Sequence, residues 1–453
     1  MTSDVTHDVV IVGGGIGGLT IAWELARAGR DVVLVEASDD AGGMLRRGTA
    51  SGLEVDLGAE SFATRTTGVA DLVADARLPV QLIEPAPGGA HVAFRRRSGR
   101  VDRAPLPRRA LVGMPADPLA ADVVRILGRR GARRAAQERL LPMPAGAEPS
   151  LAELTASRFG VRVTSRLVEP LCRSVYSQSA ESVRLSALHP VLWEKAQALG
   201  SLTAAVDALA PAVRAGSAVR GVEGGLWRIA AELEAVALRA GAVIRTGTPV
   251  RAVTATSVDL DDETLSAGVV VIATGPTAAA SLLGVDVAPA PPVGLVVAEV
   301  ASDGFDTFPV GSGVIAAPDV DCAAKALTHV DAKWEWAAAA LPAGTHLVRL
   351  SAHEGRHGEL TDAAGAATAI RTLTGVRVSP ADVRRVIPVA WPDAVATPSA
   401  RGAVTEAAAT RGIRLAGAVA AGTGLASVIP HARALAAALT SSPTPSEGAR
   451  HVR

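Results

Sequence analysis

Residues 9–18 read VVIVGGGIGG, a four-residue apolar run that breaks into a cluster holding five glycines. Glycine loses more backbone freedom on folding than any other residue, so such a cluster needs a reason. Its flanks supply one. Val9 to Val12 read as a buried strand, and from Ile16 to Ala28 the apolar residues Leu19, Ala22, Trp23 and Ala26 follow one helical face. Gly13, Gly15 and Gly18 therefore join a strand to a helix in the pattern G-x-G-x-x-G. The first glycine permits a tight turn, the second lets backbone approach a pyrophosphate, and the third packs helix against strand. The helix N-terminus offers unpaired N–H groups to that anion. A second strand, DVVLVE, ends in Glu36, 23 residues after Gly13, where an acid accepts hydrogen bonds from ribose hydroxyls. Together these features predict an α/β fold with a Rossmann-type dinucleotide-binding unit.

At 453 residues the chain suits two or three domains, and 49% hydrophobic with 20% charged residues is a globular composition. Forty-five basic residues balance forty-five acidic ones, so no global field recruits nucleic acid. Locally, Arg125, Arg129, Arg130, Arg133, Arg134 and Arg139 crowd one helical stretch, read as a solvated face with an anionic surface as the rival reading. Cys172 and Cys322 stand far apart and outside any C-x-x-C, which suits a reducing compartment and excludes a disulfide framework. The opening MTSDVTHD lacks a signal-peptide pattern, and the longest uncharged stretches are broken by Gly and Pro. The expectation is a cytoplasmic protein with no transmembrane segment, with contact at a membrane surface left open, and either a monomer or a homodimer.

Further along, GGMLRRGTASGLEVDLGAESF forms two glycine-rich turns around a short alternating segment. Pattern predicts a helix over 68–77 and loops with short strands over 85–118. Helical signals then dominate from about 118 to 213. GGLWRIAAELEAVALRAG is the clearest helix, with Gly241 as its stop. AGVVVIATGP reads as a strand and turn, mixed short strands occupy about 291–350, and the glycine turn LAGAVAAGTG runs into the helix LASVIPHARALAAAL.

These pieces, in this order, resemble the flavin-dependent amine oxidase-like superfamily, and within it the protoporphyrinogen/coproporphyrinogen oxidase family. The wider likeness rests on Gly13, Gly15, Gly18, Glu36, Gly42, Gly43 and VVVIATGP. The narrower one rests on LGAESFATR, VEPLCRSVYSQSAESVRLSALHP, GSLTAAV, GGLWRIAAEL, KALTHVDAKWEW and LVRLSAHEG, collinear over nearly the whole chain. The resemblance implies an FAD-binding domain built from residues 1–85, 214–288 and 391–441. It also implies a mixed-sheet substrate domain from 86–117 and 289–390, a helical insertion over 118–213, and a flexible tail over 442–453. It implies FAD contacts at Gly13, Gly15, Ile16, Gly17, Gly18, Glu36, Ala37, Gly42, Gly43, Met44, Gly58, Ala59, Glu60, Ser61, Val250, Ala273, Thr274, Gly275, Trp391, Gly417, Gly424, Leu425 and Val428.

The implied reaction is oxidation of a porphyrinogen to the porphyrin in haem biosynthesis, with hydride passing to the flavin and oxygen as acceptor. Such chemistry asks for neither metal nor nucleophile. The tetrapyrrole's carboxylates call for guanidinium partners, and Arg46, Arg65 and Arg97 are the candidates. The stretch 95–109 supplies seven arginines, which favours coproporphyrinogen III, with four carboxylates, over protoporphyrinogen IX, with two. Some family positions differ: Asp40 stands where Arg is common, Ala420 and Ala421 replace an aromatic-acidic pair, and Ser174 replaces glycine. These leave open a flavin oxidase or desaturase acting on an amine or isoprenoid, and a flavin-binding protein without turnover.

One motif points elsewhere. HEGRH, 353–357, matches H-E-x-x-H, which on a helix would bind zinc for a metallohydrolase. The preceding THLVRLS alternates as a strand and Gly355 interrupts the motif, so the expectation is a strand end with exposed loop histidines and no metal site. His189 and His431 are expected as capping or surface residues, and Trp334 and Trp336 as sheet packing.

Overall fold

The computed structural model describes residues 6–144, 146–176, 178–210 and 219–441. The expected tail at 442–453 and the end of the helical stretch at 211–213 lie outside them. Strand Thr6–Val12 runs parallel to Val32–Val35 on one side and to Thr264–Ile272 on the other. Val243–Arg245 extends the sheet beyond Val32–Val35, and Arg414–Leu415 lies parallel beside Thr264–Ile272. Two short antiparallel strands, Ser257–Asp259 and Ala252–Val253, complete it.

The apolar run at 9–12 is unbroken because this sheet is covered on both faces. Successive side chains alternate between them. Val9 and Ile11 join the core built with helix Ile16–Arg27 and helix Trp227–Arg239. Val10 and Val12 join the core that includes Ala279, Ala280 and Val404 from helices Pro276–Leu282 and Pro398–Thr410. This sheet and its covering helices are thus assembled from segments far apart in the chain, as read.

A second sheet of seven strands is mixed. Its order is Val383–Trp391, Val293–Ala301, Thr345–Ala352, Ala324–His329, Gly313–Ala316, Ala90–Arg95, Val101–Pro105, with only the pair Gly313–Ala316 and Ala90–Arg95 parallel. Helix Ala363–Thr374 packs on one face. Helices Ala121–Ala136, Leu151–Phe159, Pro190–Leu199 and Leu202–Leu209 form a separate core that Val92 and Phe94 enter.

Trp334 and Trp336 pack against the second sheet, as expected, from the short helices Val330–Lys333 and Glu335–Ala340, in a cluster with Val297 and Leu347, and only 3% of Trp334 is exposed. One local expectation needs correction. HEGRH follows the strand Thr345–Ala352 into a turn, with Gly355 at φ 73°, as expected. His353 and His357 are half-buried, however, not exposed. The His357 ring packs under Gly294, and its Nε2 lies 3.1 Å from Leu295 O. His189 does cap, accepting from Leu192 N–H through Nδ1 at 3.1 Å.

Candidate flavin site

The glycine turn behaves as its spacing predicts. A side chain on Gly13, at φ 108°, would strike Ala273 C and Thr274 N at 2.9 Å, so the turn presses on the end of the strand Thr264–Ile272. A Cβ on Gly18 would sit 2.1 Å from Gly13 O, the closeness of helix on turn that the third glycine allows. Gly17 meets Gly417 in the same way, at 3.0 Å. Gly15 differs: nothing lies within 4 Å of the side chain it lacks. Open space at the N-cap of helix Ile16–Arg27 is the cradle a pyrophosphate requires. Gly424, N-cap of helix Leu425–Thr440, faces open space too.

Around this cradle the carboxylate of Glu36 accepts from Gly14 N–H at 2.7 Å and from Ser38 N–H at 2.8 Å. Its remaining lone pairs suit ribose hydroxyls. Thr248 N–H donates to Glu36 O at 2.8 Å, which brings Val250 two residues further on towards Ala37. Gly42 N–H donates to Gly14 O at 2.8 Å, and Gly43 would meet the Gly15 Cα at 3.2 Å. Ala416 N–H donates to Ile272 O at 2.8 Å, setting Gly417 beside Ala273. Leu425 and Val428 are buried in the first turns of the following helix. Gly275 caps helix Pro276–Leu282, and Thr274 lies between it and Ala273. The segments at 13–18, 36, 42–43, 273–275 and 416–417 thus meet one another, and the open space at Gly15 fits a dinucleotide.

The segment 58–61 forms the side facing the second sheet. Ala59 N–H donates to Met44 O at 3.1 Å, and a Cβ on Gly58 would lie 1.8 Å from that same oxygen. Trp391 Nε1 donates to Leu57 O at 3.0 Å, with the Arg46 guanidinium 5.8 Å from its ring centroid. Glu60 receives Lys333 Nζ on Oε1 at 2.7 Å, and Arg349 Nη1 lies 2.9 Å from Oε2. Lys333 also reaches Ser61 Oγ at 3.3 Å, and Arg349 donates to Gly58 O. Burial alone would raise the Glu60 carboxyl, but the two cations outweigh it and hold it at about 2. Asp56 stands in the opposite case. Desolvation pushes it up to about 6, against the pull of the Leu226 and Trp227 N–H groups that it caps.

Sequence reasoning missed Lys333, Arg349 and Asp56. A buried Glu60 demands a cation, but nothing local says which one, some 270 residues along the chain.

Of the arginines proposed for substrate, the structure brings two to this site. Arg46 lies beside Trp391, and Arg65 donates to Ser427 Oγ in the first turn of helix Leu425–Thr440. Arg97 is not brought here. It belongs to the hairpin between Ala90–Arg95 and Val101–Pro105, five or more residues along the strand from Ala90, the partner of Gly313. There it lines a cavity of about 420 Å³ with Arg125, Arg129, Arg162 and Arg166. Its neighbours are committed elsewhere: Arg95 to Asp319 O, Arg96 to Asp102, Arg103 to Leu373 O, and Arg109 to Asp207. Arg97 and these four neighbours therefore do not supply carboxylate partners beside the flavin cradle.

A doubly covered, mainly parallel sheet, a glycine cradle open at Gly15 and an acid at Glu36 define a dinucleotide-binding protein. The profile of the flavin containing amine oxidoreductases matches residues 16–306, and the chain belongs to that family, an oxidoreductase with FAD as its cofactor. It is 33% identical to coproporphyrinogen III oxidase of Mycobacterium tuberculosis over 213 residues, 46% of this chain and 45% of that protein. The match therefore spans less than half of that relative's length. The fold resembles a provisionally named protoporphyrinogen oxidase of Exiguobacterium sp. 255-15, with TM-score 0.79 and 21% identity over 97% of this chain and 99% of that one. It also resembles cyclohexylamine oxidase of Brevibacterium oxydans, with TM-score 0.64 and 17% identity over 96% and 99%. Among the described residues no helix is long and apolar enough to cross a membrane.

Proposed function

We propose that the chain is an FAD-dependent oxidase converting a porphyrinogen, coproporphyrinogen III in preference to protoporphyrinogen IX, to the porphyrin in haem biosynthesis. The observation that carries this reading is the 33% identity to a protein named for that substrate, on a fold whose cradle is built for a dinucleotide. The preference no longer leans on the arginine run at 95–109, four of whose seven side chains are engaged elsewhere while Arg97 lines a separate cavity.

Bound flavin supplies a two-electron acceptor, re-oxidised by oxygen. The chain's own residues hold and orient. Arg46 and Arg65 offer guanidinium forks for propionate carboxylates, and a fork matches a carboxylate better than an ammonium does. Glu60 is an anchor: with its carboxyl held at about 2 it stays ionised at neutral pH and serves as no proton donor. Its ties to Lys333 and Arg349 fix the 58–61 segment against the second sheet.

The test is anaerobic mixing of the flavin-loaded protein with each porphyrinogen and with cyclohexylamine, followed at the flavin absorption band. Faster bleaching by coproporphyrinogen III, with porphyrin fluorescence appearing on admission of oxygen, is the expected result. Bleaching by the amine alone reassigns the substrate, and bleaching by none of them favours a binding protein without turnover.

A further inference from the structure

Away from the flavin cradle the second sheet buries a cluster of three ligand-bearing side chains. His329 ends the strand Ala324–His329, Asp331 lies in the short helix that follows, and His346 lies in the strand Thr345–Ala352. All three are at least nine-tenths buried. His329 Nε2 is 3.1 Å from Asp331 Oδ2 and 3.3 Å from His346 Nδ1, and His346 Nδ1 is 2.7 Å from Asp331 Oδ2. Two imidazole nitrogens and one carboxylate oxygen therefore form a small triangle. Ligand atoms bound at ~2.0–2.2 Å in a tetrahedron lie roughly 3.3–3.6 Å apart, so the two edges from His329 need open by at most about half an ångström and the shortest edge, from His346 to Asp331, by roughly 0.6–0.9 Å to make one face of such a site.

The surroundings agree with this. His346 Nε2 is 3.1 Å from Asp306 Oδ1, the outer carboxylate that typically orients a ligating imidazole and leaves its other nitrogen bare. Asp331 Oδ1 accepts from Leu347 N–H at 2.8 Å, which turns Oδ2 towards the imidazoles. His329 Nδ1 has no hydrogen-bond partner, so the ring engages the cluster through Nε2 alone. Without an ion, both imidazole nitrogens donate to the one Asp331 oxygen and stand 3.3 Å apart, which keeps all three atoms within reach of a shared ion. The rings of Phe305 and Phe308 pack against His329, with centroids at 5.0 and 5.4 Å. Phe308 is 45% exposed and holds φ 47°, so the cluster lies one layer below the surface.

We propose that His329 Nε2, His346 Nδ1 and Asp331 Oδ2 bind a divalent transition-metal ion of the zinc class, oriented by Asp306. One negative charge and two imidazoles favour such an ion over magnesium, which prefers octahedral oxygen donors. The site is structural. Asp331 and His346 lie on the two elements that present Lys333 and Arg349 to Glu60, and His329 on the strand just before the first of them, so the ion staples the three together. It is separate from H-E-x-x-H, whose histidines sit beyond the strand end.

The experiment titrates chelator-treated, flavin-loaded protein with Zn²⁺ and with Mg²⁺, scoring metal per chain by elemental analysis and affinity by calorimetry. One zinc per chain is expected, with no heat from magnesium. Asp306→Asn, at a half-exposed side chain, should keep flavin content and circular dichroism while weakening zinc roughly 10- to 100-fold. His329→Gln with His346→Gln should abolish binding, and His353→Gln with His357→Gln should leave it unchanged. No zinc in the parent, equal binding of magnesium, zinc retained by the first pair of variants, or zinc lost from the second would each overturn the proposal.

Discussion

Gly15 and Gly18 stand three residues apart in one motif and answer to different parts of the physics. A Cβ on Gly15 meets no protein atom within 4 Å and the residue's φ is −66°, so a side chain there starts into open space without backbone strain. It does fill the space that the pyrophosphate needs. Gly15→Val should therefore purify folded, with native circular dichroism and a flavin-to-protein ratio near zero; a ratio equal to the parent's would remove the cradle from this position. Gly18→Ala places its methyl group 2.1 Å from Gly13 O and should lower stability by about 1–3 kcal/mol, read from chemical denaturation. Glu60 offers a test of charge. Glu60→Gln leaves Lys333 and Arg349 without their buried anion, a loss of roughly 3–5 kcal/mol at neutral pH. The sign with pH follows from the folded-state value of about 2 against the ordinary 4.5. The parent's advantage is whole above the unfolded value and fades as pH falls towards the folded one, so the two stability curves should converge in acid. Curves that stay parallel would mean that Glu60 is not held ionised by these cations.

At the scale of elements, the sequence announces what is periodic and local. The unbroken apolar run at 9–12, the apolar face of Trp227–Arg239 and its glycine stop are all legible, because each is set by residues within a few positions of one another. What was illegible is how those elements are tied together. Helix Trp227–Arg239 has no cap of its own: its first N–H groups are satisfied by Asp56, some 170 residues earlier. The His329, Asp331 and His346 triangle is likewise invisible as a motif, since strand pairing, not spacing, brings its members together. The cap makes a prediction. Asp56→Ala should cost about 1–2 kcal/mol in mild acid. Because burial raises the carboxyl from 3.8 to about 6, the folded parent keeps a proton that the unfolded chain has released between those values. Its stability therefore falls as pH rises across that window, and the gap between parent and variant should narrow by at most about 3 kcal/mol. A gap that widens over the same range would mean that the aspartate is ionised throughout.

Across the whole molecule, the cradle's walls come from parts of the chain separated by hundreds of residues: the turn at 13–18, the strand end at 273–275, and the turn at 417–424. Glycine contacts and single backbone hydrogen bonds join them, notably Ala273 N–H to Val12 O at 2.7 Å and Ala416 N–H to Ile272 O at 2.8 Å. Helices Ile16–Arg27 and Leu425–Thr440 share one apolar core behind the turns, but at the turns themselves backbone meets backbone, so a dinucleotide lying in the cradle would add a contact common to all three. A ligand that binds only the folded state adds stability by mass action, about 2.7 kcal/mol at a hundredfold excess over Kd. Here the gain should be concentrated where the segments meet. Stripping the flavin should speed hydrogen exchange at 13–18, 273–275 and 414–428 together, as one opening unit, while strands Val293–Ala301 and Thr345–Ala352 of the second sheet keep their protection. Exchange that rises uniformly over both sheets would show instead that the two halves unfold as one, with the cofactor as a global brace and not a local clasp.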